Sequence, residues 1–227
     1  MAAVIFDMDG VIVDTERYWK GVIEQVLDEL VVDGDDLEPT DLIGINVHDQ
    51  YELLREEGYE LTVDSADEYF DFYDDHAEAV YSDHADLMAG FHDLLDDLDE
   101  YGVPLAVCTS SYPNWVELAF DRFDLHGRFD VVVSAADLDI PGKPEPDIYE
   151  VTMDRLGVTA AESVVVEDSE NGIRAAARAG AHVIAYAADE AGEMDTSDAD
   201  EVATSANDLR ERLFAELDAL DRRPSRS

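Results

Sequence analysis

Short apolar runs that stop at a polar residue or glycine recur along the chain: "AVIF" at 3–6, "PLAVC" at 104–108, "DVVVS" at 130–134, "SVVV" at 163–166 and "HVIAY" at 182–186. Runs of this length, rich in valine and isoleucine, predict strands buried on both faces. The last four are separated by segments with helical spacing: "NWVELAFDRF" from 114, "DIYEVTMDRLG" from 147 and "ENGIRAAARAG" from 170, with Gly180 as a helix stop. Strands alternating with helices predict an α/β fold, a doubly wound and mainly parallel sheet with helices on both faces.

The interval between the first strand and the second breaks this alternation. Residues 15–103 hold helix-like pieces around 15–31, 47–57, 65–82 and 86–101 and no convincing strand. The last piece, "DLMAGFHDLLDDLDEYG", leads straight into the second strand and belongs with the sheet. What remains is too long for a crossover. The chain is therefore expected to divide into a core domain of residues 1–14 and 85–227 and a small inserted helical domain of residues 15–84. No internal repeat or low-complexity linker is visible, and the closing "RRPSRS" reads as a frayed basic tail.

Composition changes the picture mainly through charge. The 227 residues are 46% hydrophobic, ample for a packed core, yet 57 acidic residues stand against 14 Lys and Arg, a formal charge of −43. Apolar and aromatic positions continue throughout, so the acid belongs to the surface and not to a disordered chain. Such a surface repels itself in dilute buffer, whereas at about 1 M salt the Debye length falls to about 3 Å and the repulsion is screened. The composition resembles that of proteins from organisms with molar salt in the cytoplasm, an acidic protein of an ordinary cytosol being the alternative, and speaks against nucleic acid or anionic membranes as partners. The single cysteine, Cys108, lies in "PLAVC"; it rules out an internal disulfide and reads as a small core residue. With no basic-then-apolar leader and no run approaching about 18 apolar residues, a soluble, cytoplasmic protein is expected.

In an open parallel sheet, ligands collect outside the carboxyl ends of the strands. The polar residues after the apolar runs are Asp7 and Asp9 after the first, Thr109 and Ser110 after the second, and Glu167 with Asp168 after the fourth. Lys143 follows the third strand by a loop. Either acidic pair alone would mean little in so acidic a chain, and "FDMDG" also reads as a strand end closed by an Asp-Gly turn. Together, however, these residues arrive in an order that one sheet edge can gather. Four crowded carboxylates repel, at about 4 kcal/mol per pair for a separation of about 4 Å and an effective dielectric of about 20. A divalent cation resolves this, and hard oxygen ligands with open positions suit Mg²⁺. A hydroxyl and an ammonium facing the same point complete a cradle for a phosphoryl group. Lysine occurs only at Lys20 and Lys143, against twelve arginines, and Lys143 sits in "PGKPEP", where no helix can use it. A compact ammonium on a loop stiffened by Gly142, Pro144 and Pro146 meets the need for a fixed cation beside those carboxylates and a dianionic phosphate.

These segments resemble a known family. "FDMDGVIVDTE" from 6, "VCTSS" from 107, "GKPEPDIY" from 142 and "VVVEDSENGIRAAARAG" from 164 are similar to the four motifs of the haloacid dehalogenase (HAD) superfamily. The nearest branch is that of phosphatases and β-phosphoglucomutase-like phosphomutases with a small helical cap after the first motif. The resemblance spans nearly the whole chain and implies a Rossmann-like core. It implies that Asp7 is the nucleophile that becomes an aspartyl phosphate, and that Asp9 protonates the leaving oxygen and then, as base, activates the hydrolytic water. It implies Mg²⁺ held by the Asp7 carboxylate, the Asp9 backbone carbonyl and Asp168, with Glu167 as a further ligand. The phosphate would be held by Thr109, the Ser110 backbone and Lys143. Dehalogenases lack the second aspartate, so Asp9 argues against dehalogenation.

On this resemblance the inserted domain closes over the site as a lid and sets substrate choice. Here the chain departs from the phosphoglucomutase pattern: where that branch uses a histidine, a lysine and an arginine to handle the sugar phosphate, the matching positions are Trp19, Ile43 and Val47. The expected function is a Mg²⁺-dependent phosphatase acting on a small phosphorylated metabolite, a sugar phosphate or phosphoglycolate, though a nucleoside monophosphate also fits a small capped site. A phosphomutase is the alternative. Glu16, Trp19, Asn46 and His48 are the candidates for substrate contact. Ala89, in "LMAGF", stands where relatives often have proline, a change confined to the hinge. A monomer is expected. A phosphorylated signalling receiver would be much shorter and lack the insertion. A non-catalytic acidic binding module would explain the charge but not the register of Thr109 and Lys143 with the carboxylates.

Overall fold

The computed structural model describes residues 2–34, 36–42, 45–188 and 194–222. The first strand, β1 (Ala3–Phe6), is wholly buried, and β2 (Val13–Asp14) leads from it into α1 (Glu16–Leu30). There follow β3 (Val31–Val32), α2 (Val47–Glu57), β4 (Glu60–Leu61) and α3 (Ala66–Glu78), which widens into a π-helical turn at Ala79–His84. The chain returns through β5 (Asp86–Leu87) and α4 (Phe91–Tyr101). Strands and helices then alternate: β6 (Leu105–Thr109), α5 (Pro113–Phe123), β7 (Val131–Ser134), α6 (Asp147–Leu156), β8 (Ser163–Glu167) and α7 (Glu170–Ala179). Two strands, β9 (His182–Tyr186) and β10 (Glu201–Ala203), and helix α8 (Ala206–Asp221) complete the described chain.

Six strands form one parallel sheet in the order β10-β9-β8-β1-β6-β7. Val4 of β1 lies opposite Leu105 on one side and Val164 on the other. Successive side chains of a strand point to opposite faces. Val4 and Phe6 accordingly join Leu95 and Leu98 of α4 and Leu213 of α8 in one hydrophobic cluster. Ile5 joins Ile148 of α6 and Ile173 of α7 in the other. Each such side chain, fully buried, contributes about 1.5–3 kcal/mol. The two clusters thus hold helices against both faces and give the doubly wound α/β architecture expected from the alternation. From β1 the chain builds outward through β6 and β7, then crosses to β8, β9 and β10 on the other side. The order reverses beside β1, and a crevice opens there at the carboxyl ends of the strands.

The five apolar runs and the three helices between them form close to their expected spans. The helix expected from residue 86 instead starts at Phe91. Asp86–Leu87 pairs antiparallel with Val13–Asp14, and Gly90, at φ 74°, turns the chain into the helix. That pairing sets the two connections of the helical insert side by side. The interval read as strand-free also contains the antiparallel pair Val31–Val32 with Glu60–Leu61, too short to leave an apolar run. Beyond residue 186 no element is expected from the pattern, yet β10 and α8 extend and cover the sheet edge. The stripe Leu209, Leu213 and Leu217 is the signal that identifies α8, and all three are fully buried. Of the expected basic tail, residues 223–227 lie outside the described residues. Among the described residues, no helix is long and apolar enough to cross a membrane.

Candidate active site

Asp7 continues the line of β1, its backbone N–H donating to the Val166 carbonyl at 3.0 Å, so its side chain leaves the sheet at the reversal point. The chain then folds back within a few residues: Ile12 and Val13 N–H groups donate to the Met8 carbonyl, and the Gly10 N–H to that of Val13. Gly10 has φ 79°, and a Cβ there would fall on the Asp168 carboxylate. Glycine is needed at this turn for both reasons, backbone hand and close approach. The turn brings Asp9 over the same crevice as Asp7, and Asp168, following β8, borders it too.

Lys143 enters from the opposite side. Its ammonium lies 2.6 Å from Asp7 Oδ1 and 2.6 Å from Glu167 Oε1, and also donates to the Cys108 carbonyl at 3.4 Å. The Lys143 side chain is only 5% exposed. Burial alone would lower its pKa, but Asp7 and Glu167 more than reverse this and hold it well above the usual lysine value. Burial pushes the Asp7 carboxyl up to about 7, with Lys143 opposing the rise. Burial also works against ionisation of Glu167, but Lys143, Tyr149 and the Ser169 amide hold it below the usual carboxylate range.

Glu167 is fully engaged. Oε1 accepts from Lys143 and from the Tyr149 hydroxyl at 2.6 Å. Oε2 accepts from the backbone N–H groups of Asp168 and Ser169 and from the Ser169 hydroxyl. A carboxylate offers about four lone-pair sites, and these donors engage both oxygens of Glu167 in this structure. Its place is beneath Lys143, pressed against Gly172, where a Cβ would overlap it.

Asp9 is caged by three hydroxyls. Thr15 donates to Oδ1 at 2.6 Å, Tyr81 to Oδ1 at 2.8 Å and Ser111 to Oδ2 at 2.5 Å. Thr15 stands at the N-cap of α1, yet its hydroxyl turns to Asp9 and makes no cap. Thr109, 1% exposed at the end of β6, accepts the Ser111 N–H at 3.0 Å and so shapes the loop that carries Ser110.

Asp7, Asp9, Thr109, Ser110, Lys143 and Asp168 all border one cleft of about 620 Å³. Trp19 and Asn46 border it too, Trp19 stacked on Trp115 with ring centroids 4.9 Å apart. His48 borders a neighbouring cleft of about 300 Å³, where its ring nitrogen meets the Tyr112 hydroxyl. The side chain of Glu16 and all of Ile43 lie outside the described residues. Sequence reasoning missed Thr15, Tyr81, Ser111 and Tyr149. Thr15, Ser111 and Tyr149 lie inside quoted motifs, but nothing local distinguishes Tyr81. Cys108 is fully buried, as a core residue should be, and burial pushes its thiol up to about 12.

An open parallel sheet with buried acid, lysine and hydroxyl groups at its reversal point defines a hydrolase-like site, and the family follows from comparison. Residues 4–186 match the model of the haloacid dehalogenase-like hydrolases. The chain belongs to that family. It is 30% identical over 180 residues to the phosphorylated carbohydrates phosphatase of Thermotoga maritima, covering 79% of this chain and 82% of that protein. It is 32% identical over 215 residues to the "probable pseudouridine-5'-phosphatase" of Drosophila melanogaster, covering 92% of each. In fold it is similar to CbbY from Rhodobacter sphaeroides in complex with phosphate, with a TM-score of 0.79, 24% identity, and 92% and 96% of the two chains covered.

Proposed function

We propose that the chain is a magnesium-dependent phosphatase hydrolysing a small phosphorylated metabolite, of the sugar phosphate or phosphoglycolate type, through an aspartyl-phosphate intermediate. The observation that carries this reading is the buried Asp7–Lys143–Glu167 chain at the floor of a cleft that Asp9 and Asp168 also border. The phosphatases among its relatives support the same reaction class.

In this reading the Asp7 carboxylate attacks phosphorus while the P–O bond to the leaving group breaks, the departing oxygen taking a proton from Asp9. Asp9 then accepts a proton from water as the water oxygen bonds phosphorus and the Asp7–phosphorus bond opens, releasing inorganic phosphate. Lys143 holds charge beside both the nucleophile and the phosphate, and the Thr109 hydroxyl and Ser110 backbone orient the phosphoryl oxygens. The Asp7 carboxylate and Asp9 carbonyl of one turn, with the Asp168 carboxylate packed against it at Gly10, are hard oxygen donors, a set that fits Mg²⁺. When bound there, the ion would supply positive charge to the phosphoryl oxygens. The helical insert, residues 15–84, serves as the lid. Among the described residues that border the cleft, Lys143 is the only cation. A second phosphate would meet no second cation there, which favours hydrolysis over transfer between phosphorylated forms. The reading extends to a monomer working in a cytoplasm of molar salt, supported by the charge of −43.

The test is p-nitrophenyl phosphate hydrolysis in molar KCl with Mg²⁺. Turnover that chelation abolishes and that Asp7→Asn lacks is expected. An Asp7→Asn variant as active as the parent contradicts the reading, and absence of any hydrolysis favours a binding module.

A further inference from the structure

The cage around Asp9 draws on all three parts of the chain that meet at the cleft. Thr15 opens the helical insert, Tyr81 closes it, and Ser111 follows β6 in the sheet. Tyr81 is fully buried and lies in the π-helical turn Ala79–His84, where the Ala85 N–H reaches back to the Val80 carbonyl. π-Helical turns are rare and concentrate at functional sites. Arg122 of α5 donates to the Tyr81 carbonyl at 2.8 Å and pins the turn. The ring packs edge-on to Trp19, 5.9 Å between centroids.

Packing alone would be served by phenylalanine. A buried hydroxyl needs a partner, and that of Tyr81 finds Asp9 at 2.8 Å and Ser111 Oγ at 3.1 Å, residues remote from it in sequence. Two of the three groups that hold the Asp9 carboxylate therefore belong to the insert, one at each of its ends.

We infer that Tyr81 is a positioning residue: it fixes the orientation of the Asp9 carboxylate, so that proton transfer to the leaving oxygen depends on the helical insert being seated. The inference rests on the phosphatase reading above. It predicts a dependence on the leaving group. An alkyl oxygen needs a proton as it departs, whereas p-nitrophenolate leaves without one, so loss of Asp9 orientation falls on the alkyl ester.

The experiment compares Tyr81→Phe with the parent on glycerol 3-phosphate, glucose 6-phosphate and p-nitrophenyl phosphate, in Mg²⁺ and molar KCl. For whichever alkyl ester the parent hydrolyses, kcat/KM is expected to fall at least tenfold more than for p-nitrophenyl phosphate. Inhibition by inorganic phosphate should be unchanged. Equal losses on both ester types, or no loss on either, overturn the inference while leaving the phosphatase reading intact. A parent enzyme inactive on every ester overturns both. Should Tyr81→Phe not fold, Thr15→Val removes the insert's other contact to Oδ1 and carries the same expectation, with the same contrary results.

Discussion

Lys143 sits between two carboxylates at 2.6 Å each with almost no exposed surface, a geometry that a point charge can occupy and a planar guanidinium cannot. Lys143→Arg should keep the charge and lose most turnover, read as kcat. Lys143→Met should in addition destabilise the fold by about 3–5 kcal/mol, because the buried Asp7 and Glu167 would lose the cation between them. Denaturant unfolding of the metal-free protein checks this; unchanged stability would show that the pair is not coupled. This lysine was legible in the sequence through its rarity and its proline-flanked loop. Glu167 was legible as part of an acidic pair, but its contact with Lys143 was not. Which acid of a pair faces the cleft depends on Tyr149 and Ser169, and only the folded chain brings Tyr149 to it. Cys108 gives a further check. With its thiol pushed up to about 12, the folded state keeps a proton that the unfolded chain releases from about pH 8.5. The sign is a loss of stability as pH rises above that value. Iodoacetamide at about pH 9 should label the unfolded chain and spare the native one.

The Asp7–Asp9 turn is the element on which the site depends. Gly10→Ala would place a Cβ on the Asp168 carboxylate in a backbone conformation that costs a residue with a side chain about 1–3 kcal/mol. The variant should melt lower and bind Mg²⁺ more weakly by titration calorimetry; parent-like affinity would mean that Asp168 is no ligand. The same scale explains what could be read in advance. Strands such as Ala3–Phe6 and Ser163–Glu167 announced themselves because burial on both faces demands unbroken apolar runs. The two-residue strands at Val13–Asp14 and Asp86–Leu87 did not, since their pairing is imposed by the ends of the insert and not by their own side chains. The π-helical turn that delivers Tyr81 to Asp9 likewise leaves no periodic trace.

At the scale of the molecule, charge and architecture make separate demands. A formal charge of −43 on a folded surface predicts that melting temperature rises steeply between about 0.1 M and 1 M KCl, as the Debye length falls from about 10 Å to 3 Å. Each kcal/mol of repulsion relieved is worth about 2–4 °C in a chain of this size. A flat salt profile would mean that the acidic residues are paired or too dispersed to matter. The architecture bears on something more specific: the strand order reverses at β1 and sets Asp7 at the cleft, where the proposed reading has it take the phosphoryl group and Asp9 assist its release. The most direct test is to quench the Asp9→Asn variant in acid during reaction with p-nitrophenyl phosphate and Mg²⁺, and to map the peptides by mass spectrometry. A phosphoryl group on the peptide carrying Asp7, absent when Asp7→Asn is added, is the predicted result. Phosphate release that continues in the Asp7→Asn variant would contradict the account.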